Sequence, residues 1–266
     1  MTRAELRRYL EMLELSGEAV VVHAKLSSLG LDEGLDPYTF CELLVEAVGS
    51  GTLLMPAFTP STLVLPPNPA NGTSLGEPVA FSPDLATDDP VAEALRHFPG
   101  ALRSQHPTHS FVALGPLARE LLSTHRDNNP LGPLKKLNLH RGSVVLLGTN
   151  LQHAVGLHLA LEARSLAVGS RRIALRVNAG SHIERVVIDN FPGCSRAFDK
   201  LEALLSLEVI KLVPLAQGSM RKIPLRYLLQ LAHTVLEQDP LALFCNEPQC
   251  GDCSAAKARL SQRVLS

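Results

Sequence analysis

The sequence predicts an α/β fold: a single three-layer domain over residues 1–266, with a mostly parallel central sheet, helices on both faces and a small antiparallel annex. Three observations predict it. Val144, Val145, Leu146 and Leu147 form an apolar run that stops at Gly148, after which Leu157, Ala160 and Leu161 take up helical spacing. Ala19–His23 and Gly51–Pro56 are two further strand-like runs with a helical segment between them, an alternation that favours parallel βαβ pairing. Arg171–Val177 and Glu184–Asp189, joined through Asn178-Ala179-Gly180-Ser181, read as an antiparallel meander, the annex.

The elements follow in order. Residues 2–15 form a helix with Leu6, Leu10, Met12 and Leu13 on its apolar side. The strand at Ala19–His23 is followed by Ala24-Lys25-Leu26-Ser27-Ser28-Leu29-Gly30, whose small residues suit contact with a phosphate or an amide. Pro37–Val48 is a helix, with Pro at its start and Gly49 after its end. Residues 57–90 are rich in Pro, Gly, Ser and Thr and lack periodicity; loops of that length are usually functional or disordered. Val91–His97 is a short helix closed by Pro99-Gly100. Pro116–Thr124 is helical, and Asn128–Gly132 is a turn before the central strand at Ser143. Beyond the annex, Phe198–Leu207 reads as helix, Val209–Ala216 as one strand, and Leu225–Gln238 as a long final helix.

Composition narrows the function classes. The chain has 45% apolar and 19% charged residues and a net charge of −1. It therefore lacks the basic footprint of a nucleic-acid binder. No apolar run reaches the roughly 18 residues that a membrane span requires. The N-terminal stretch MTRAELRRYLEMLEL is amphipathic rather than signal-like. Five scattered cysteines read as reduced thiols, so the expected location is the cytoplasm. With no Trp and 4% aromatics, a stacking platform for bases or sugars is not expected.

The candidate chemistry sits in two stretches. The strand–turn–helix at Ser143–Arg164 places its turn at a strand's carboxyl end, where open α/β sheets bind ligands. His158 lies just inside the helix and Glu162 shares its face. Such a histidine can act as a general base, and the alternative is a packed core imidazole. The second stretch, LRSQHPTHSFVALGP, carries Arg103, Ser104, His106, His109 and Ser110, with Pro107 restricting the backbone between the histidines. His106 and His109 could be half of a metal site, but no HExxH-type spacing accompanies them. Cys250-Gly251-Asp252-Cys253 is a lone CxxC. Cys245 and Cys194 could complete four ligands, yet nothing in the spacing demands it, and no metal is expected.

Five collinear segments resemble the aminoglycoside 3-N-acetyltransferase family. They are VVVHAKLSSLG, GTLLMPAFT, AEALRHFPGALRSQHPTHSFVALGPLA, VVLLGTNLQHAVGLHLALE and CGDCSAAKAR. The resemblance implies acetyl transfer from acetyl-CoA to an amino group of a deoxystreptamine ring or a similar small-molecule amine. It implies His158 as general base, oriented by an acidic residue for which Asp189 is the nearest candidate. Arg103, His109 and helix-start N–H groups would stabilise the thioester oxygen. Lys25, Ser27, Ser28, Thr59, Arg103, Ser104 and Ser110 would contact the acyl donor, and His106, Asp84 and Asp88 the amine. Self-association as a homodimer stays open.

The chain also departs from the family pattern. Ala24-Lys25 stands where the family has Ser-Ser, and Ala154-Val155 where it has Asn-Thr. The Glu expected three residues after the histidine is Leu161, with Glu162 one position on, and Asp89 replaces a Gly. These changes leave three readings: an active N-acetyltransferase, a non-catalytic relative binding a ligand or protein in the same cleft, and a metal-binding protein using His106, His109 and the Cys250/Cys253 pair.

Overall fold

The computed structural model describes residues 1–65, 77–166 and 170–264; part of the 57–90 loop, residues 66–76, lies outside them. In chain order the elements are α1 (Arg3–Met12), β1 (Ala19–Ala24), α2 (Pro37–Val48), β2 (Thr52–Pro56), α3 (Pro90–Arg96), β3 (Leu102–Arg103), β4 (Phe111–Leu114), α4 (Ala118–Leu122) and α5 (Gly132–Leu139). Then come β5 (Ser143–Leu147), α6 (His158–Ala163), β6 (Ser170–Val177), β7 (Ile183–Phe191), β8 (Lys211–Pro214), β9 (Ser219–Pro224), α7 (Leu225–Gln238) and α8 (Gly251–Val264).

Local chemistry sets several boundaries. Thr2 and Glu5 close a reciprocal capping box at the start of α1. Asp36 accepts from the Thr39 N–H at 2.7 Å, and Pro37 opens α2. The Asp89 carboxylate accepts from the N–H groups of Val91 and Ala92 at the head of α3. The residue that departs from the family pattern is thus a helix cap here.

β1, β2 and β5 share one seven-stranded sheet of order β3-β4-β2-β1-β5-β9-β8, as expected for its centre. The expectation of a mostly parallel sheet needs correction. Among the described strands of this sheet only β1–β2 and β1–β5 are parallel, and the other pairs are antiparallel. The reason is connectivity: the βαβ alternation holds from β1 through α2 to β2, while the flanking strands return as antiparallel neighbours. The run read as one strand, Val209–Ala216, turns at Gly218 (φ +74°) into the β8–β9 hairpin. The Phe198–Leu207 helix is a 3₁₀ segment over Arg196–Leu204, and a helix, α5, follows the turn at Asn128–Gly132. β6 and β7 form the separate two-stranded annex.

Strand residues alternate between two cores. Val21, Leu54, Val144, Leu146 and Ile223 face the side covered by α4, α5, α6 and α7. Val20, Val22, Leu53, Met55, Val145, Leu147 and Met220 face α1, α2 and α3. Each fully buried Val or Leu contributes roughly 1.5–3 kcal/mol, so a shift of one residue in the register of any central strand would reverse both faces at once.

Two consecutive charges on β9 are also buried. Lys222 donates to Glu18 Oε1 at 2.7 Å and to the Glu14 carbonyl at 2.8 Å. On the opposite face Arg221 pairs with Glu202 and donates to the Thr149 carbonyl at 2.7 Å. Glu202 also accepts from the Leu151 N–H at 2.7 Å, so this network fixes the turn that leaves β5. Among the described residues no helix is long and apolar enough to cross a membrane.

Candidate active site

A cleft of about 620 Å³ opens at the carboxyl ends of β1, β2 and β5. His23, Ala24 and Lys25 line it from the end of β1, Pro56 and Phe58 from the end of β2 and just beyond it, and Thr149, Gln152, His153 and Val155 from the turn after β5. Asp88 and Asp89 come from the approach to α3, His109 from the segment before β4, His158 from the head of α6, and Pro192, Gly193 and Ser195 from the chain leaving β7. The parallel core of the sheet therefore places the cleft where the strand–turn–helix pattern predicts it.

The loop after β1 is seated on two glycines. A Cβ on Gly148 (φ +67°) would lie 2.9 Å from the Lys25 carbonyl oxygen and 2.8 Å from the Leu29 side chain. One on Gly218 would lie 3.3 Å from the Ser28 carbonyl oxygen.

His158 is 6% exposed and packs edge-on against Phe198, with ring centroids 4.8 Å apart. No described residue makes a hydrogen bond to its ring nitrogens that would fix a tautomer. Burial pushes its pKa down to about 4, so the imidazole is neutral near pH 7. His109 shares the cleft, its Nδ1 held at 2.8 Å by the Thr108 hydroxyl and its ring flanked by Phe58 and Phe191. Burial, then the nearby His158 and His125, lower its pKa to about 3.

Lys25 is exposed at the cleft, and no described carboxylate pairs with it. Asp88 is exposed at the same cleft. Ser27 and Ser28 lie one 3₁₀ turn beyond Lys25, outside the cleft lining.

Most of the other residues expected at the site brace it from behind. Thr59 is fully buried and donates to the Pro107 carbonyl at 2.7 Å. Arg103, expected at the acyl donor, spends its donors on the Ser110 hydroxyl and on the carbonyls of Pro83, Leu85 and Ala57, pinning the 82–85 loop. The Ser110 hydroxyl donates to the Ala57 carbonyl at 2.5 Å. The Ser104 hydroxyl meets the His125 ring and accepts from the Phe111 N–H at 2.8 Å. His106 stacks on His125, and its Nδ1 accepts from the N–H groups of Thr108 and His109. Asp84 is exposed and does not line the cleft.

Asp189 does not form the expected pair with His158. Its carboxylate accepts from Arg171 at 2.9 Å on the exposed annex, because a residue in an antiparallel hairpin meets its cross-strand neighbourhood first. Glu162 lines a small pocket beside His158, and Lys135 donates to it at 2.6 Å.

Sequence reasoning missed His23, Thr149, Gln152 and His153. His23 is buried with an unpartnered Nε2, and burial lowers its pKa to about 3. The His153 Nδ1 lies 2.7 Å from the Thr149 hydroxyl. The available signal was position alone: His23 sits near the carboxyl end of β1, and Thr149, Gln152 and His153 lie in the turn that leaves β5.

Residues 21–237 match the family model described as aminoglycoside 3-N-acetyltransferase. Aminoglycoside N(3)-acetyltransferase VIII of Streptomyces fradiae is 39% identical over 188 residues. That match covers 65% of this chain and 65% of the relative, so the chain spans just under two thirds of the relative's length. The apoenzyme structure of aminoglycoside acetyltransferase AAC(3)-IVa superposes with a TM-score of 0.76 at 26% identity, covering 97% of this chain and 96% of that one. A variant of that enzyme in complex with a gentamicin superposes with a TM-score of 0.75 at 25% identity, over the same shares of the two chains. The matched residues begin in β1 and run almost to the end of α7, taking in every residue that lines the cleft, and so the chain belongs to the aminoglycoside 3-N-acetyltransferase family.

Proposed function

We propose that this chain, working as one unit over its 266 residues, transfers an acetyl group from acetyl-CoA to an amino group of an aminoglycoside-class amine, with His158 as general base. The observation that carries the reading is the neutral His158 imidazole on a cleft at the strand ends, in a chain whose relatives bear that activity in their names. An ammonium cannot attack a thioester; the amine must shed a proton as its nitrogen bonds to the carbonyl carbon. A neutral imidazole is the form that accepts this proton. The tetrahedral intermediate then collapses, the C–S bond breaks, and the proton held on His158 passes to the departing thiolate. Burial makes His158 a poor store for that proton, so it is handed on rather than retained.

The cleft's charges fit the two substrates. Lys25 offers an uncommitted ammonium to the anionic phosphates of the donor. Asp88 offers a carboxylate to a polycationic amine, and a complex of a structural relative holds an amine of that kind, a gentamicin. His109 lies on the cleft where it can meet the thioester oxygen.

The test is a thiol-release assay with acetyl-CoA and a panel of aminoglycosides. Release that depends on both substrates supports the reading. The absence of a described carboxylate on His158 favours a second one, a binding protein that keeps the cleft without turnover. Calorimetric binding of acetyl-CoA or an aminoglycoside with no thiol released would decide for it.

A further inference from the structure

Cys194, Cys245, Cys250 and Cys253 converge on one point near the C-terminal helix. Their four Sγ atoms all lie within 4.8 Å of one another, and those of Cys194 and Cys245 are 3.8 Å apart. All four are free thiols. Four thiolates around a zinc ion, each at about 2.3 Å, make a tetrahedron with edges of about 3.8 Å. Disulfide sulfurs stand about 2.05 Å apart, and bridges would join the four in pairs rather than gather them round a centre.

We propose that these four cysteines hold a single structural zinc ion. Zn²⁺ would displace four thiol protons and leave a tetrathiolate centre of net charge −2, with no change of oxidation state. Its surroundings suit that charge. The Cys245 N–H donates to Cys253 Sγ and the Arg196 N–H to Cys194 Sγ, each at 3.4 Å. Such N–H···S contacts orient ligands and spread their charge. The Lys257 ammonium donates to the Cys245 carbonyl at 2.7 Å, and Cys253 sits in the first turn of α8, at the positive end of its dipole. Cys253 and Cys245 are buried while Cys194 and Cys250 are partly open, leaving a path of entry.

The centre would join two distant parts of the chain. Cys194 follows Pro192 and Gly193 and precedes Ser195, which line the cleft; the other three ligands flank the start of α8. Zinc would thereby fasten one wall of the cleft to the C-terminal helix. The site stands whether or not the chain transfers acetyl groups.

The experiment is elemental analysis of the full chain, expressed with added zinc and purified without chelator. About one zinc per chain is expected, falling below roughly a tenth in Cys250→Ser and unchanged in Cys41→Ser. Cys41 packs in the opposite core and serves as the control. Should Cys250→Ser not fold, cobalt exchange into the parent chain decides: sulfur-to-cobalt charge transfer with tetrahedral visible bands supports the site. A reduced parent chain that carries no zinc and gives no such bands overturns it. So does an intact mass lower by two hydrogens for each disulfide bridge.

Discussion

The backbone N–H of His109 donates to Nδ1 of His106 at 3.1 Å, so one buried imidazole positions another that lines the cleft. The Thr108 N–H shares the same acceptor at 3.3 Å. Replacing His106 with Ala removes that acceptor and leaves two buried N–H groups unpaired. A loss of about 1–3 kcal/mol is expected in chemical denaturation. His106→Asn, which restores an acceptor oxygen, should recover part of it. Equal stability for the Ala variant and the parent would refute the bracing role.

His158→Ala should lower turnover by roughly 10²–10⁴ while leaving acetyl-CoA affinity nearly intact. Steady-state kinetics and calorimetry on the same preparation separate the two effects. A variant that loses thermal stability but keeps its turnover would make His158 a packing residue.

Lys25→Ala should weaken acetyl-CoA binding several-fold, about 1 kcal/mol, and the gap should narrow as salt is raised. Unchanged affinity at low salt would show that the donor phosphates pass elsewhere.

Five imidazoles share one response to acid. Burial lowers His158 to about 4, His23, His109 and His125 to about 3, and His106 to about 2. The unfolded chain takes up protons near pH 6.5, where the folded chain does not, so it binds more protons in the window from about 6.5 down to 4. Stability therefore rises with pH through that window and is lost as the pH falls. The expected outcome is a melting temperature clearly lower at pH 5 than at pH 7. A flat profile would mean these rings stay solvated.

The sequence spoke most clearly where a physical signal was local. Pro37 and Gly49 mark the ends of α2 within a few residues, and α7 is long and periodic enough to stand alone. β9 escaped notice because Arg221-Lys222 does not look like buried strand. Both are buried only because Glu202 and Glu18, far away in sequence, meet them on opposite faces. The same limit governs the cleft. Arg103, Ser104 and Ser110 are as well suited chemically to a ligand as to a loop carbonyl, and which way a side chain points is a tertiary fact. The cysteines show it too: Cys194 and Cys245 are 51 residues apart, and only the fold makes them neighbours.

The glycine seat under residues 25–28 divides what can change from what cannot. A side chain at Gly148 would clash with the Lys25 carbonyl and one at Gly218 would crowd the Ser28 carbonyl, so the path of the loop after β1 is constrained from beneath. The Lys25 side chain, by contrast, is exposed at the cleft. A lineage can thus rewrite the chemistry its loop offers a ligand, hydroxyl for ammonium, without moving the loop itself.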